Sequence, residues 1–260
     1  KFVGSPTKQK FIFSFLFFSI STTFFVPLIA TDSSSPVINR LIDPLNFGET
    51  VWVVKPEDLA NIGAFFKTGV FCSTRTIAVS GDSLKSPKYF STVIGSSISS
   101  LINNDEINDI NNYRFINGDP LSGSKVEYSD YIGFYNNCLS VIEEGNQYRM
   151  LGWLPFMYNS VPSFSKTSFS WLLGGAKKVN TNLNGEERAI VVTGEMEKYF
   201  PMDIFPMQLI KACMRGDIEK MESLGIYEVI PEDFGLVDFS CTSKIEAQEI
   251  IKSGIQIMLK

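Results

Sequence analysis

The hydrophobic pattern of this chain changes period along its length, and that change limits the fold more than any single motif does. Through the first two-thirds, apolar residues come in strand-length runs such as Thr50-Val51-Trp52-Val53-Val54 and Thr74 to Val79. Between those two runs, Pro56-Glu57-Asp58 predicts a helix start, with proline in the first turn and carboxylates at the positive end of the dipole. That helix is expected to reach about Lys67 and stop at Gly69. From Tyr113 the runs shorten and glycine breaks them: Tyr113–Ile116, Tyr131–Tyr135, Leu139–Glu143 and Met150–Leu154. Turns at Asn117-Gly118-Asp119-Pro120 and Glu144-Gly145-Asn146 separate them, which predicts a small antiparallel or β-grasp-like unit. Asn184-Gly185 reads as a hairpin turn. After the rigid corner Pro201 to Pro206 the pattern turns helical: Met207 to Met214 stopped by Gly216, Ile218 to Leu224 ending on Gly225, and Ser243 to Leu259. In the last of these Ile245, Ile251, Ile255, Met258 and Leu259 approximate one face. The expected class is α+β.

Composition narrows the chemistry. The chain has 260 residues, 44% hydrophobic and 20% charged, enough to bury a real core. A net charge of −5 disfavours a surface for nucleic-acid phosphates. There is no histidine. That removes every Ser-His-Asp or Cys-His nucleophile pair, every histidine-ligated metal and the usual general base near neutral pH. Cys72, Cys138, Cys213 and Cys241 contain no C-x-x-C pair, so they read as free thiols rather than metal ligands. An independent hydrolase or metalloenzyme is disfavoured.

Lys1, Lys8 and Lys10 precede an uncharged stretch, Phe11 to Thr31, that holds seven of the chain's 22 phenylalanines. Three readings fit it: a secretory signal ending at Ala30, a membrane span, or a pair of buried strands. Ser14, Ser19, Ser21, Thr22, Thr23 and Pro27 weigh against the first two. The segment from Phe11 to Ala30 therefore stays open, and Thr31 to Pro36 reads as a linker. A signal would make the protein a secreted or membrane-anchored β-rich binding module.

Gly81-Asp82-Ser83-Leu84 after a strand spells the nucleophile block of GDSL esterases. Ser83 would need a histidine base, and Lys85 or Lys88 is only a formal substitute, so a chance match is expected. No phosphate-binding glycine motif occurs. Asp105, Glu106 and Asp109 sit among asparagines and read as a solvated loop. Glu143 and Glu144, adjacent on a strand, point to opposite faces and cannot share a site. Lys177-Lys178 and Glu186-Glu187-Arg188 read as surface charge, and Trp153, Phe156, Tyr158, Phe164, Phe169 and Trp171 as core rather than a ligand site. No catalytic or metal residue is assigned.

Several collinear segments carry a family resemblance. They are Ile42-Asp43-Pro44, Glu49-Thr50-Val51-Trp52, Thr74-Arg75-Thr76-Ile77-Ala78-Val79, Asn117 to Gly123, Tyr131-Ile132-Gly133-Phe134, Val141 to Gly145 and Leu151-Gly152-Trp153. Gly185 to Ala189, Pro201 to Pro206, Gly216-Asp217 and Leu224 to Glu228 continue them. Together, over residues 36–260, they resemble the A subunit of sodium-translocating NADH:quinone oxidoreductases. The resemblance implies a peripheral protein on the cytoplasmic face of the bacterial inner membrane, partnered by the other, membrane-embedded subunits. The complex uses NADH, flavins, iron–sulfur centres and quinone to export sodium. This chain is expected to bind no cofactor itself and to serve as a scaffold or at the quinone end. The implied fold is a Rossmann-like portion over 36–112, an SLBB-like β-grasp domain over 113–168, a connecting segment over 169–200 and a helical module over 201–260, with 1–35 unassigned. Fold relatives hold an iron–sulfur cluster in that tail; here Asp233 to Glu246 keeps only Cys241. Family members also extend further toward the N-terminus with a barrel-like domain.

Overall fold

A computed structural model describes residues 9–13, 47–48, 50–102, 107, 110–145 and 179–259, with the backbone alone for 9–13 and 50–53. The first layer is a parallel pair, β1 (Gln9–Phe13) beside β2 (Thr50–Val54), in the register Phe11↔Trp52. Phe11 to Phe13 are thus strand, while residues 14–46 lie outside the described residues. One residue, Lys55, separates β2 from helix α1 (Pro56–Thr68). Glu57 and Asp58 occupy its first turn, and Gly69, at φ +71°, ends it by donating its N–H to the Phe65 carbonyl. Among the described residues, the expected Rossmann-like portion is represented by two parallel strands and this helix.

The main layer is a mixed five-stranded sheet. Its strands are β3 (Thr74–Ser80), β4 (Lys88–Val93), β5 (Tyr113–Asn117), β6 (Ser124–Val126) and β7 (Cys138–Glu143), in the spatial order β4-β3-β7-β5-β6. The hairpin β3–β4 is antiparallel, and so are β5–β6 and β5–β7. The last strand, β7, inserts at the centre parallel to β3. A short helix, α2 (Ile98–Leu101), makes the crossing between the two halves and buries Ile98 and Leu101. A hairpin, a crossing helix and a last strand added parallel beside the first make a β-grasp arrangement. It opens at Thr74 and closes at Glu143, so the expected division at residue 112 runs through the sheet. Periodicity finds strands but not their partners, and β7 pairs with both halves.

One face of this sheet is buried by alternation. Arg75, Ile77 and Val79 are the buried positions of β3, with Leu139 and Val141 level with them on β7. The expected strand Tyr131–Tyr135 is instead a loop. Tyr131 makes a single isolated bridge to Ser97, while the carbonyls of Phe134 and Tyr135 accept from Arg75 and Lys55 side chains rather than from a ladder. The expected strand Met150–Leu154 lies outside the described residues.

A second core is helical. It is built by α3 (Glu195–Tyr199), α4 (Pro206–Arg215), α5 (Ile218–Ser223), α6 (Gly235–Ser240) and α7 (Ala247–Met258), around fully buried Leu209, Ile210, Phe234 and Ile251. Gly216 and Gly225 take left-handed conformations just past α4 and α5, where the sequence places the stops. The last helix starts four residues later than its pattern predicts. Lys244 sits at φ +53°, and the Asp238 carboxylate accepts from the N–H groups of Ala247 (2.6 Å) and Gln248 (3.3 Å), which fixes the start at Ala247. Asn184-Gly185 is no hairpin: among the described residues no strand flanks it on either side, and only Asn184 has positive φ, whereas the type I′ turn that Asn-Gly favours needs it at both positions.

Candidate functional site

Three polar clusters hold these layers together. The first joins α1 to one end of the sheet. Arg75, only 3% exposed, occupies a position that the alternation of β3 reserves for apolar side chains. Its guanidinium donates to the Asp58 carboxylate in the first turn of α1 and to the Phe134 carbonyl, and lies 5.6 Å from the centre of the Phe134 ring. Beside it, Glu57 accepts from the Thr76 N–H (3.1 Å) and from Asn137 Nδ2 (2.8 Å). Lys55 donates to the Tyr135 carbonyl at 3.0 Å. Among the described residues, three buried atoms here have no hydrogen-bond partner: Arg75 Nε, Asn117 Oδ1 and Asn137 Oδ1.

The second cluster closes the far end of the sheet. Arg114 on β5 donates from Nε to Glu144 at 2.9 Å, and Thr181 both donates to Glu144 and accepts from the Gly145 N–H. The Arg114 hydrogen bond is the main reason the Glu144 carboxyl titrates below its ordinary range. The third cluster lies between the two cores. Gln248 Nε2 donates to the Leu121 carbonyl and to Asp238, each at 2.9 Å. Burial raises the Asp238 carboxyl above its ordinary range, against the lowering effect of those donors.

The motifs singled out in the sequence have structural roles where the structure describes them. Gly81, at φ +141°, crosses β7 so closely that a Cβ there would sit 1.9 Å from the Val141 carbonyl oxygen. Leu84 of the same tetrad is buried, and Asp82 accepts from the Val179 N–H. The turn at Asn117 to Pro120 forms as read, with the Asp119 carboxylate accepting from Leu121 and Ser122 N–H groups. Glu143 is exposed while Glu144 is paired, so the two do not share a site. Asp105, Glu106 and Asp109, the aromatic cluster from Trp153 to Trp171, and Lys177-Lys178 lie outside the described residues.

All four cysteines are free; Cys72 is exposed, and Cys213 and Cys241 are buried in the helical core. Desolvation pushes the Cys213 thiol up to about 11. Cys241 is the only thiol between Asp233 and Glu246, and a single thiolate does not hold an iron–sulfur cluster. Among the described residues, no group of three or more Cys, Asp or Glu is placed to hold a metal ion. Sequence reasoning missed Arg75 and Gln248. An arginine in step with Ile77 and Val79 was the readable sign of the first; nothing local announces the second.

Comparison with known proteins places this arrangement. The family of the NQRA C-terminal domain, an SLBB domain, matches residues 76–128, which lie within the five-stranded sheet. Over 222 residues, 85% of this chain, the sequence is 33% identical to the A subunit of the Na(+)-translocating NADH-quinone reductase of Neisseria meningitidis (serogroup C). The chain belongs to the NQRA family. The corresponding protein of Pasteurella multocida is 34% identical over 83% of the chain, and that of Haemophilus influenzae (strain PittGG) 35% over 82%. The chain spans about half the length of these curated relatives, 47% to 49%. The β-grasp sheet is therefore the SLBB domain of this family, and its start near residue 76 agrees with a sheet that opens at Thr74.

Proposed function

We propose that this chain works as the NQRA component of a sodium-pumping NADH:quinone reductase, as a scaffold or at the quinone end, with no redox centre of its own. The observation that carries this reading is the match to NQRA relatives across 85% of the chain. The site geometry is consistent with it: Arg75 is bound to Asp58 and Arg114 to Glu144, pairs that tie the layers of the fold together. NADH, flavins, iron–sulfur centres and quinone then belong to the assembled complex, whose other subunits are the partners. Its place is the cytoplasmic face of the bacterial inner membrane; among the described residues no helix is long and apolar enough to cross one. The test is to isolate the membrane complex from cells carrying and lacking this chain. The chain should co-purify with the complex, and its deletion should abolish NADH-driven quinone reduction. Unchanged turnover without it sinks the proposal.

A further inference from the structure

We draw no further inference here: the strongest candidate, the side-chain cluster between the first turn of α1 and the loop after β6, where Arg75 Nε, Asn117 Oδ1 and Asn137 Oδ1 have no hydrogen-bond partner among the described residues, carries nothing because nothing in the structure shows what meets those atoms.

Discussion

Arg75 spends its charge at a position that alternation would give to valine or isoleucine, and the cost of removing it follows from what it leaves behind. In Arg75→Met the Asp58 carboxylate and the Phe134 carbonyl lose their donor together. Removing one partner of a buried pair costs about 3 kcal/mol or more, which urea denaturation of the variant should show. Asp58→Asn/Arg75→Met together should cost less than the two single changes summed, because the orphaned charge is gone. Glu144 behaves differently, since its pair with Arg114 is partly solvated. Its folded carboxyl is depressed, so its stabilising effect is fully present above the unfolded carboxylate value and is lost as pH falls through the folded one. Glu144→Gln should therefore lower the urea midpoint near neutrality, and the gap from the parent should shrink only once the pH falls below the ordinary Glu value of about 4.3 and through the lower folded one. A gap that stays constant across that range would count against the assignment.

The strand β3 ends where Gly81 passes over β7, and there the element depends on having no side chain. Gly81→Ala places a methyl group against the Val141 backbone at a φ that L-residues rarely adopt. A loss exceeding about 3 kcal/mol, or failure to accumulate folded protein, is expected. Ser83→Ala, two residues on, should stay within about 0.5 kcal/mol by the same denaturation measurement. The tetrad that spells an esterase motif is thus constrained at its glycine, not at its serine. Local signals of this kind were legible: Pro56, Gly69, Pro206, Gly216 and Gly225 bound their helices where the sequence says. What was illegible depends on distant chain. Tyr131 to Tyr135 has strand composition but becomes a loop because Arg75 and Lys55 take its carbonyls, from 59 and 80 residues away. The sheet likewise opens at Thr74 rather than near Tyr113, since only the pairing of β3 with β7 shows that the two halves are one. Asn184-Gly185 fails as a hairpin because neighbouring chain is tied elsewhere, with the Arg188 N–H bound to the Ser243 carbonyl.

The two cores meet at Leu121, Gly235, Asp238 and Gln248, and this junction decides whether they unfold together. A Cβ on Gly235 would lie 3.1 Å from that of Leu121, so the β5–β6 turn rests directly on the start of α6. Gln248 Nε2 links the Leu121 carbonyl to the Asp238 carboxylate, which in turn holds the first N–H groups of α7. Burial raises the Asp238 carboxyl, so its ionisation opposes folding: its favourable contribution is complete below the unfolded value and declines as pH rises through the folded one. Asp238→Asn keeps one acceptor but turns an amide toward donors, so it should destabilise; its deficit should narrow with rising pH, opposite in sense to Glu144→Gln. Gln248→Ala tests the coupling itself. It removes two hydrogen bonds, one to a charged group, without touching either apolar core, for a cost of about 1–3 kcal/mol. The helical cap on Ala247 survives, so the loss falls on the link between the cores. Hydrogen exchange should then show the amides of the β5–β6 turn opening at lower free energy than those of α4, where the parent protein opens both together. Equal loss of protection in both regions would mean that Gln248 stabilises α7 alone and that the β-grasp sheet and the helical core are coupled through apolar contact.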